Sequence, residues 1–249
     1  MNAPPHDQLS AEDEERVTRF LQAFNSIDRA LKDELDATEY VPFRTLLEEY
    51  HRRHPQWDDK EDLVEYSRLR NVVVHNRAFP YLYYSVPTWA TVKQIEAIYR
   101  RLTQPERALP RWRREVQTVQ AGDTLANVLA LINRLQYSRF PVYDGKRFDG
   151  LLTENGITRW IARHSATRLT TIDFEEHTAR EMLSLDKRRA NCEFLDGAAT
   201  VEEVRYRFAR NPRLEAALLT SGGRKNEKLL GIVTRGDVLS VQCAREEDN

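Results

Sequence analysis

The turn from Gly231 to Asp237, Gly-Ile-Val-Thr-Arg-Gly-Asp, contains residues well suited to bind a polar ligand. The apolar residues before Thr234 predict a strand, and those after it predict a helix. A carboxylate at the start of a helix accepts two hydroxyl donors at once, and it leaves neighbouring backbone N–H groups free for an anion. Arg235 adds a cation within reach of a phosphate. The alternative is structural, because Thr234 and Asp237 also have the spacing of a helix-capping box.

A second group of residues able to do chemistry is Arg70, Asn71 and His75. Asn71 and His75 are four residues apart and share a helix face, and Arg70 lies on the adjacent turn within reach of the same phosphate. His75, with an ordinary pKa near ~6.5, is able to take a hydroxyl proton while Arg70 stabilises charge on the phosphate. No metal is required for this chemistry. The alternative is that these side chains hydrogen-bond the following loop and hold the helices together.

Four amphipathic helices are predicted between residues 10 and 105, with a loop bracketed by Pro80 and Pro87. Ser10 and Asp13 have the spacing of a capping box at the start of the first helix. Apolar residues recur at helical spacing in all four helices: Val17, Phe20, Leu21, Phe24, Ile27, Leu31 and Leu35; Phe43, Leu46, Leu47 and Tyr50; Leu63, Tyr66, Leu69 and Val73; Val92, Ile95, Ile98, Tyr99 and Leu102. Four helices with short connections are typical of an α-bundle.

The second half of the chain contains an internal repeat. From Val116 onward, short apolar runs alternate with helices, which favours α/β or α+β units. The order helix, strand, turn, strand, helix occurs twice, and residues 150–153 of the first copy correspond to residues 231–234 of the second. A duplication within about 130 residues predicts two βαββα-like halves that share one core.

Composition limits the classes of protein that need to be considered. The 249 residues carry a net charge of −1, with 41 % hydrophobic and 31 % charged residues, and no apolar stretch is long enough to span a bilayer. Two cysteines are too few for a four-ligand zinc site or a disulfide framework. A polar N-terminus argues against a secretory signal, so we expect a cytoplasmic protein. The arginines between residues 107 and 114 predict either a solvated linker or a strip that contacts phosphates.

Residues 114–241 resemble a tandem pair of CBS domains, also called a Bateman module, because residues 231–237 match the family's G-x-x-T-x-x-D turn. The resemblance implies that Asp237 accepts hydrogen bonds from ribose hydroxyls and that Thr234 contacts ribose or phosphate. It implies an adenine nucleotide ligand such as AMP, ADP or ATP, although S-adenosylmethionine and cyclic dinucleotides also bind in the family, and it places Thr153 at the matching position of the first copy. Arg235 is included as a phosphate contact, with an exposed surface side chain as its alternative. Gly156 stands where the first copy needs its Asp, so one site is expected.

The N-terminal bundle resembles the HEPN superfamily, many of whose members are dimeric, metal-independent endoribonucleases. Arg70 and His75 read as the family's R-x4–6-H motif, with the frequent Asn in Asn71. The resemblance implies that His75 takes a 2′-hydroxyl proton from RNA. Three other Arg–His pairs have a permitted spacing. Arg70 is chosen as the candidate because it lies near the end of the third helix of the bundle, before the loop that contains proline. Arg77 stands where one subfamily of HEPN toxins has a Tyr, which leaves only the general ribonuclease interpretation.

We therefore predict an α+β protein, with a four-helix HEPN-like bundle over residues 10–105, a basic linker over 106–115, and CBS repeats over 116–175 and 176–245. The predicted function is nucleotide sensing, in which the CBS pair of a homodimer controls a ribonuclease domain acting on RNA. Two alternatives remain. One is a non-catalytic adaptor whose helices bind a partner or dimerise, and the other is a regulator that binds RNA without cutting it.

Overall fold

The computed structural model describes residues 10–75, 77–78, 82–83, 85–167, 172–183 and 191–246. The chain divides into two compact units between Glu106 and Arg107. The first unit is mainly helical, and the second contains two small mixed sheets, so the fold is of the predicted α+β class. Among the described residues, no helix has the length and apolar character needed to cross a membrane.

Four helices form the first unit: α1 (Ala11–Glu34), α2 (Phe43–Arg53), α3 (Lys60–His75) and α4 (Trp89–Thr103). All four were predicted from the apolar spacing. Their inward-facing side chains form one core, whose fully buried members include Phe20, Ile27, Leu31, Leu46, Leu47, Leu63, Val92 and Ile95. The amphipathic pattern therefore identified both the helices and the faces that they bury.

The start of α1 is a complete capping box. The Ser10 hydroxyl accepts a 3.1 Å hydrogen bond from the backbone N–H of Asp13, and the Asp13 carboxylate accepts one of 3.3 Å from the N–H of Ser10. Two donors that the first helical turn leaves without intrahelical partners are thereby satisfied, which confirms the predicted helix start.

A short hairpin, rather than a simple loop, follows α3. Its strands β1 (Arg77–Ala78) and β2 (Leu82–Tyr83) pair antiparallel, with Arg77 opposite Tyr83. The prolines of this region suggested a loop, whereas its aromatic and aliphatic residues favour extended backbone. The predicted loop positions Pro80, Tyr81 and Tyr84 lie outside the described residues.

The second unit begins with a short helix, α5 (Ala108–Trp112), and then repeats one topology twice. The first repeat comprises β3 (Val119–Gln120), α6 (Leu125–Leu135), β4 (Arg139–Asp144), β5 (Arg147–Thr153), α7 (Glu154–Thr167) and α8 (Ala179–Leu183). The second comprises β6 (Cys192–Asp196), α9 (Val201–Arg210), β7 (Ala216–Thr220), β8 (Gly231–Thr234) and α10 (Arg235–Glu246). Both repeats therefore have the predicted β-α-β-β-α order.

The strand pairing is the same in both repeats. The first strand runs parallel to the second, and the second runs antiparallel to the third, in the orders β3-β4-β5 and β6-β7-β8. Within the antiparallel pairs, Gly150 lies opposite Val142, and Gly231 lies opposite Leu219. This common register makes Gly150 structurally equivalent to Gly231, and Thr153 equivalent to Thr234, as the sequence repeat predicts.

The segment expected to be a basic linker is part of the second repeat. Ala108 and Trp112 are buried in the same core as Val233 and Val238. The backbone N–H of Ala108 donates a 2.8 Å hydrogen bond to the carbonyl of Ala199. Residues 107–114 are therefore not a solvated linker. The side chains of Ala108 and Trp112 bury apolar surface, and the free energy of this burial outweighs the preference of the neighbouring arginines for water.

Helix α8 belongs to the first repeat, although the predicted boundary between the repeats lay at residues 175 and 176. Met182 and Leu183 are fully buried among the apolar residues of β4, β5 and α7. The N–H of Ala179 also donates a 2.8 Å hydrogen bond to the carbonyl of Asp123. The structure thus extends the first repeat at least to Leu183.

The two repeats contact each other directly. The rings of Phe148 and Phe194 meet edge to face with centroids 4.9 Å apart. Arg139, at the start of β4, forms a 2.7 Å ion pair with Glu215, immediately before β7. Of these residues, Arg139 also lines a cleft between the repeats.

Candidate ligand-binding site

A cleft of about 210 Å³ lies beside the start of α10. Its walls come from three stretches of chain: residues 114–117 before β3, residues 136–139 between α6 and β4, and the turn from β8 to α10 with Ile232, Thr234 and Asp237. The cleft contains two of the predicted ligand residues, Thr234 and Asp237. Its other walls come from sequence far from that turn, so the site needs both repeats.

Asp237 lies in the third position of α10 and faces back towards Thr234. Its Oδ2 accepts 2.7 Å hydrogen bonds from both the backbone N–H and the hydroxyl of Thr234. The capping alternative considered for these two residues is therefore present in the structure. It leaves the carboxylate 23 % exposed at the cleft, so capping and ligand contact do not exclude each other.

The Asp237 carboxylate is ionised at neutral pH. Burial by itself would raise its pKa, but hydrogen bonds from the hydroxyl and N–H of Thr234, together with the nearby Arg114 guanidinium, hold the pKa below its ordinary value. A carboxylate in this state is an acceptor only, which suits a ligand that brings hydroxyl donors.

Arg114 crosses the cleft to reach Asp237. Its Nη2 lies 2.9 Å from Asp237 Oδ2 and its Nη1 lies 3.4 Å from Oδ1. The same Nη2 donates to the carbonyl of Ile232, and the backbone N–H of Arg114 donates a 3.2 Å hydrogen bond to the carbonyl of Leu230. In the sequence, Arg114 is recognisable only as a member of the basic cluster, because its partner is 123 residues away along the chain.

The equivalent positions of the first repeat are built differently. Thr153 is buried, and its hydroxyl accepts a 3.0 Å hydrogen bond from the N–H of Gly156, so it caps α7. Neither residue lines the cleft at Asp237. In place of the Arg114 guanidinium, the neutral amide of Asn191 donates a 3.1 Å hydrogen bond to the carbonyl of Leu151. The first repeat thus lacks the carboxylate, and Asn191 in place of Arg114 brings no charge.

Residues 113–163 match the sequence model of the CBS domain. Over these residues, the first repeat is similar to a CBS domain. The second repeat has the same element order, strand directions and register, so the whole unit is consistent with a CBS pair. The match does not include the helical unit, whose HEPN resemblance stays a prediction.

Several solved structures, among them CBS-domain proteins, are similar to this chain. CbpB in complex with c-di-AMP is 18 % identical, with 63 % of this chain and 96 % of that chain covered, at a TM-score of 0.45. CBSX2 in complex with AMP is 12 % identical, with 57 % and 98 % covered, at a TM-score of 0.42. A CBS-domain containing protein from Agrobacterium tumefaciens is 15 % identical, with 52 % and 90 % covered, at 0.40. A search of curated proteins finds no match.

The structure gives Arg235 of the second repeat a structural role in place of the predicted ligand contact. Its guanidinium donates hydrogen bonds of 3.2 to 3.4 Å to the carbonyls of Phe208, Asn211, Pro212 and Leu214, and it lies 5.5 Å from the centroid of the Phe208 ring. These contacts tie the connection between α9 and β7 to the start of α10. Arg235 is not among the residues that line the cleft.

The rim formed by residues 136–139 was not identified from the sequence. Gln136 ends α6 in a left-handed conformation with φ of 56°, which turns the chain towards the cleft. Tyr137 follows and is 49 % exposed, although it is a large aromatic residue. A half-exposed aromatic ring beside a polar cleft offers a face on which a planar base can stack.

The proposed catalytic residues of the helical unit lie at the end of α3. Asn71 is exposed, and its Oδ1 is 3.5 Å from Nη1 of Arg70, its neighbour in the chain. The Nε of Arg70 is buried and has no hydrogen-bond partner among the described residues. His75 is the last residue of α3, and its side chain lies outside the described part of the chain.

Proposed function

We propose that the CBS pair binds one adenine nucleotide in the cleft at Asp237 and that its occupancy regulates the helical unit. The observation that carries the proposal is the ionised Asp237 carboxylate at the start of α10, inside a cleft with an exposed aromatic rim. In this arrangement Asp237 accepts the ribose hydroxyls, the Thr234 hydroxyl contacts the sugar, and the ring of Tyr137 stacks on the base. The choice of adenine rests on the family resemblance.

A single site is proposed because the first repeat has Gly156 at the position of Asp237 and Asn191 in place of Arg114. Among the described residues of this region, neither of these two positions supplies a hydrogen-bonding charge. We therefore expect one nucleotide for each CBS pair, and two for the proposed homodimer.

The regulatory part of the proposal follows from chain connectivity. Arg114, which touches Asp237, lies at the end of the segment that leads directly from the helical unit into the second repeat. A ligand that changes the contacts of Arg114 also changes the anchoring of that segment. A ligand that prefers one arrangement of the dimer by ~1.4 kcal/mol shifts the ratio of the two arrangements tenfold.

Calorimetry with AMP, ADP and ATP tests the proposal. Asp237→Ala removes the acceptor of two hydroxyl hydrogen bonds and should weaken binding by about ten- to a hundredfold, or ~1.5 to 3 kcal/mol. Glu202→Ala, on α9 and away from the cleft, is the matched control and should bind as wild type does. Equal affinities for wild type and Asp237→Ala, or no binding of any of the three nucleotides, would refute the proposal.

The regulated output is a second proposal, in which the helical unit cleaves RNA through Arg70, Asn71 and His75. The observation that favours it is the pairing of Arg70 with the exposed Asn71 at the end of α3, next to the position of His75. The alternative is the non-catalytic adaptor, for which the same three residues only support the helices. Cleavage assays separate the two and are described with the predictions below.

A further inference from the structure

The Asp237 carboxylate has little hydrogen-bonding capacity left for a ligand. Its Oδ2 already accepts three hydrogen bonds, two from Thr234 and one from Nη2 of Arg114. Its Oδ1 accepts one, from Nη1 of Arg114. Each carboxylate oxygen offers about two lone pairs, so only one acceptor position on Oδ1 is open.

A ribose presents two neighbouring hydroxyls, and both need an acceptor on Asp237. Because the two bonds from Thr234 belong to the helix cap, the bonds that can be exchanged are those from Arg114. The Arg114 side chain is 42 % exposed, so it can turn away without leaving a buried charge. Its movement also enlarges the cleft, whose volume of about 210 Å³ is below the ~300 to 1,000 Å³ that is usual for small-molecule sites.

Breaking the ion pair with Asp237 has a cost, which a new anionic partner for Arg114 at the cleft offsets. Arg139, the other arginine of the walls, is paired with Glu215 at 2.7 Å, which leaves Arg114 as the cation that can respond to a ligand. A nucleoside offers hydroxyls to Asp237 but no anion to Arg114. A nucleotide offers both, and a guanidinium binds a phosphate through two parallel hydrogen bonds.

We propose that Arg114 determines ligand specificity by this exchange, so that the cleft selects phosphorylated nucleosides and rejects the same nucleosides without a phosphate. The inference rests on the proposed nucleotide site at Asp237 and adds to it the residue that selects for the phosphate. The Arg114–Asp237 ion pair is broken only when a phosphate replaces the carboxylate as the partner of Arg114. By the same reasoning, cationic adenosine derivatives are poor ligands.

The test is calorimetry with AMP and adenosine on wild type and on two variants. Wild type should bind AMP about ten- to a hundredfold more tightly than adenosine, as expected for a charge-assisted interaction. Arg114→Gln should lose most of this preference, since AMP binding weakens while adenosine binding stays the same or improves. Arg113→Gln, which removes the same charge from an exposed neighbour outside the cleft, should keep the wild-type ratio.

Two outcomes overturn the inference separately from the proposed function. If AMP binding depends on Asp237 but wild type does not discriminate against adenosine, or if Arg114→Gln keeps the preference, the nucleotide site stands and the role of Arg114 is wrong. If wild type binds neither ligand, both proposals fail. Should Arg114→Gln not fold, Arg114→Met keeps the apolar stem and removes the charge, and an AMP preference equal to that of wild type would contradict the exchange.

Discussion

The side-chain amide of Asn191 donates a 3.1 Å hydrogen bond to the carbonyl oxygen of Leu151. In the other repeat, Arg114 donates to the carbonyl of Ile232, which is the equivalent residue of β8. Each repeat therefore receives a side-chain donor from the segment that precedes the first strand of the other. The charged donor, Arg114, contacts the repeat whose turn contains Asp237. The neutral donor, Asn191, contacts the repeat whose turn has Gly156 at that position.

We predict that Asn191→Ala lowers the free energy of unfolding by about 1 to 3 kcal/mol, because it removes the donor from a buried carbonyl. Asn191 is only 7 % exposed, so water does not readily replace the amide. Urea unfolding measures the effect. Asn133→Ala, at an exposed position of α6, is the control and should be close to neutral. Equal destabilisation by both variants would contradict the assigned role of Asn191.

Gly231→Ala should destabilise the second repeat by about 2 kcal/mol or more, because a Cβ at this position would collide with the backbone carbonyl of Trp112. The obstacle is backbone that is paired with Gly231 itself, so it cannot move away as a flexible side chain would. Gly122→Ala is the matched control, since nothing lies within 4 Å of its Cβ position. Thermal unfolding should show a lower midpoint for Gly231→Ala only.

The contribution of Asp237 to stability should depend on pH. Its pKa in the folded state is lowered, so its stabilising effect is fully present above the unfolded pKa near ~3.9 and is lost as the pH falls through the folded value. Asp237→Asn should therefore be less stable than wild type at pH 7, and the difference should shrink below about pH 4. Urea unfolding across this range measures it. A difference that grows on acidification would have the wrong sign.

For the helical unit, we predict metal-independent cleavage of single-stranded RNA that His75→Ala reduces by about 10²- to 10⁴-fold, the loss expected for a general base. The assay includes AMP, ADP and ATP, because the activity is expected to respond to the CBS pair. His51→Ala is the control, since the Nδ1 of His51 bonds the Trp57 carbonyl within the helical unit. Intact RNA under every condition would favour the non-catalytic adaptor.

The elements that depend on local signals were predictable from the sequence. The four helices, their buried faces, the Ser10 cap and the turn from Thr234 to Asp237 all rest on residues within a few positions of each other. The internal repeat gave the topology of the second unit because each copy carries the same short pattern.

The features that were missed depend on contacts between distant residues. Arg114 reaches Asp237 across 123 positions, and no local pattern distinguishes it from the neighbouring arginines. The apolar side chains of Ala108 and Trp112 are too few to signal burial until the second repeat provides a core for them. Arg235 lies inside the motif, between Thr234 and Asp237. Its guanidinium nevertheless donates hydrogen bonds to carbonyls of the connection between α9 and β7, and these contacts are visible only in the folded structure.

The place of α5 has a consequence for synthesis of the protein. Ala108 and Trp112 share one core with Val233 and Val238, and the entire first repeat lies between them in the chain. Within the described part of the chain, the buried core of the first repeat uses residues from Val119 to Leu183, so we expect it to form while translation continues. The second core has to wait for β8 and α10 to leave the ribosome. A chain released before β8 would keep the first core and expose Trp112.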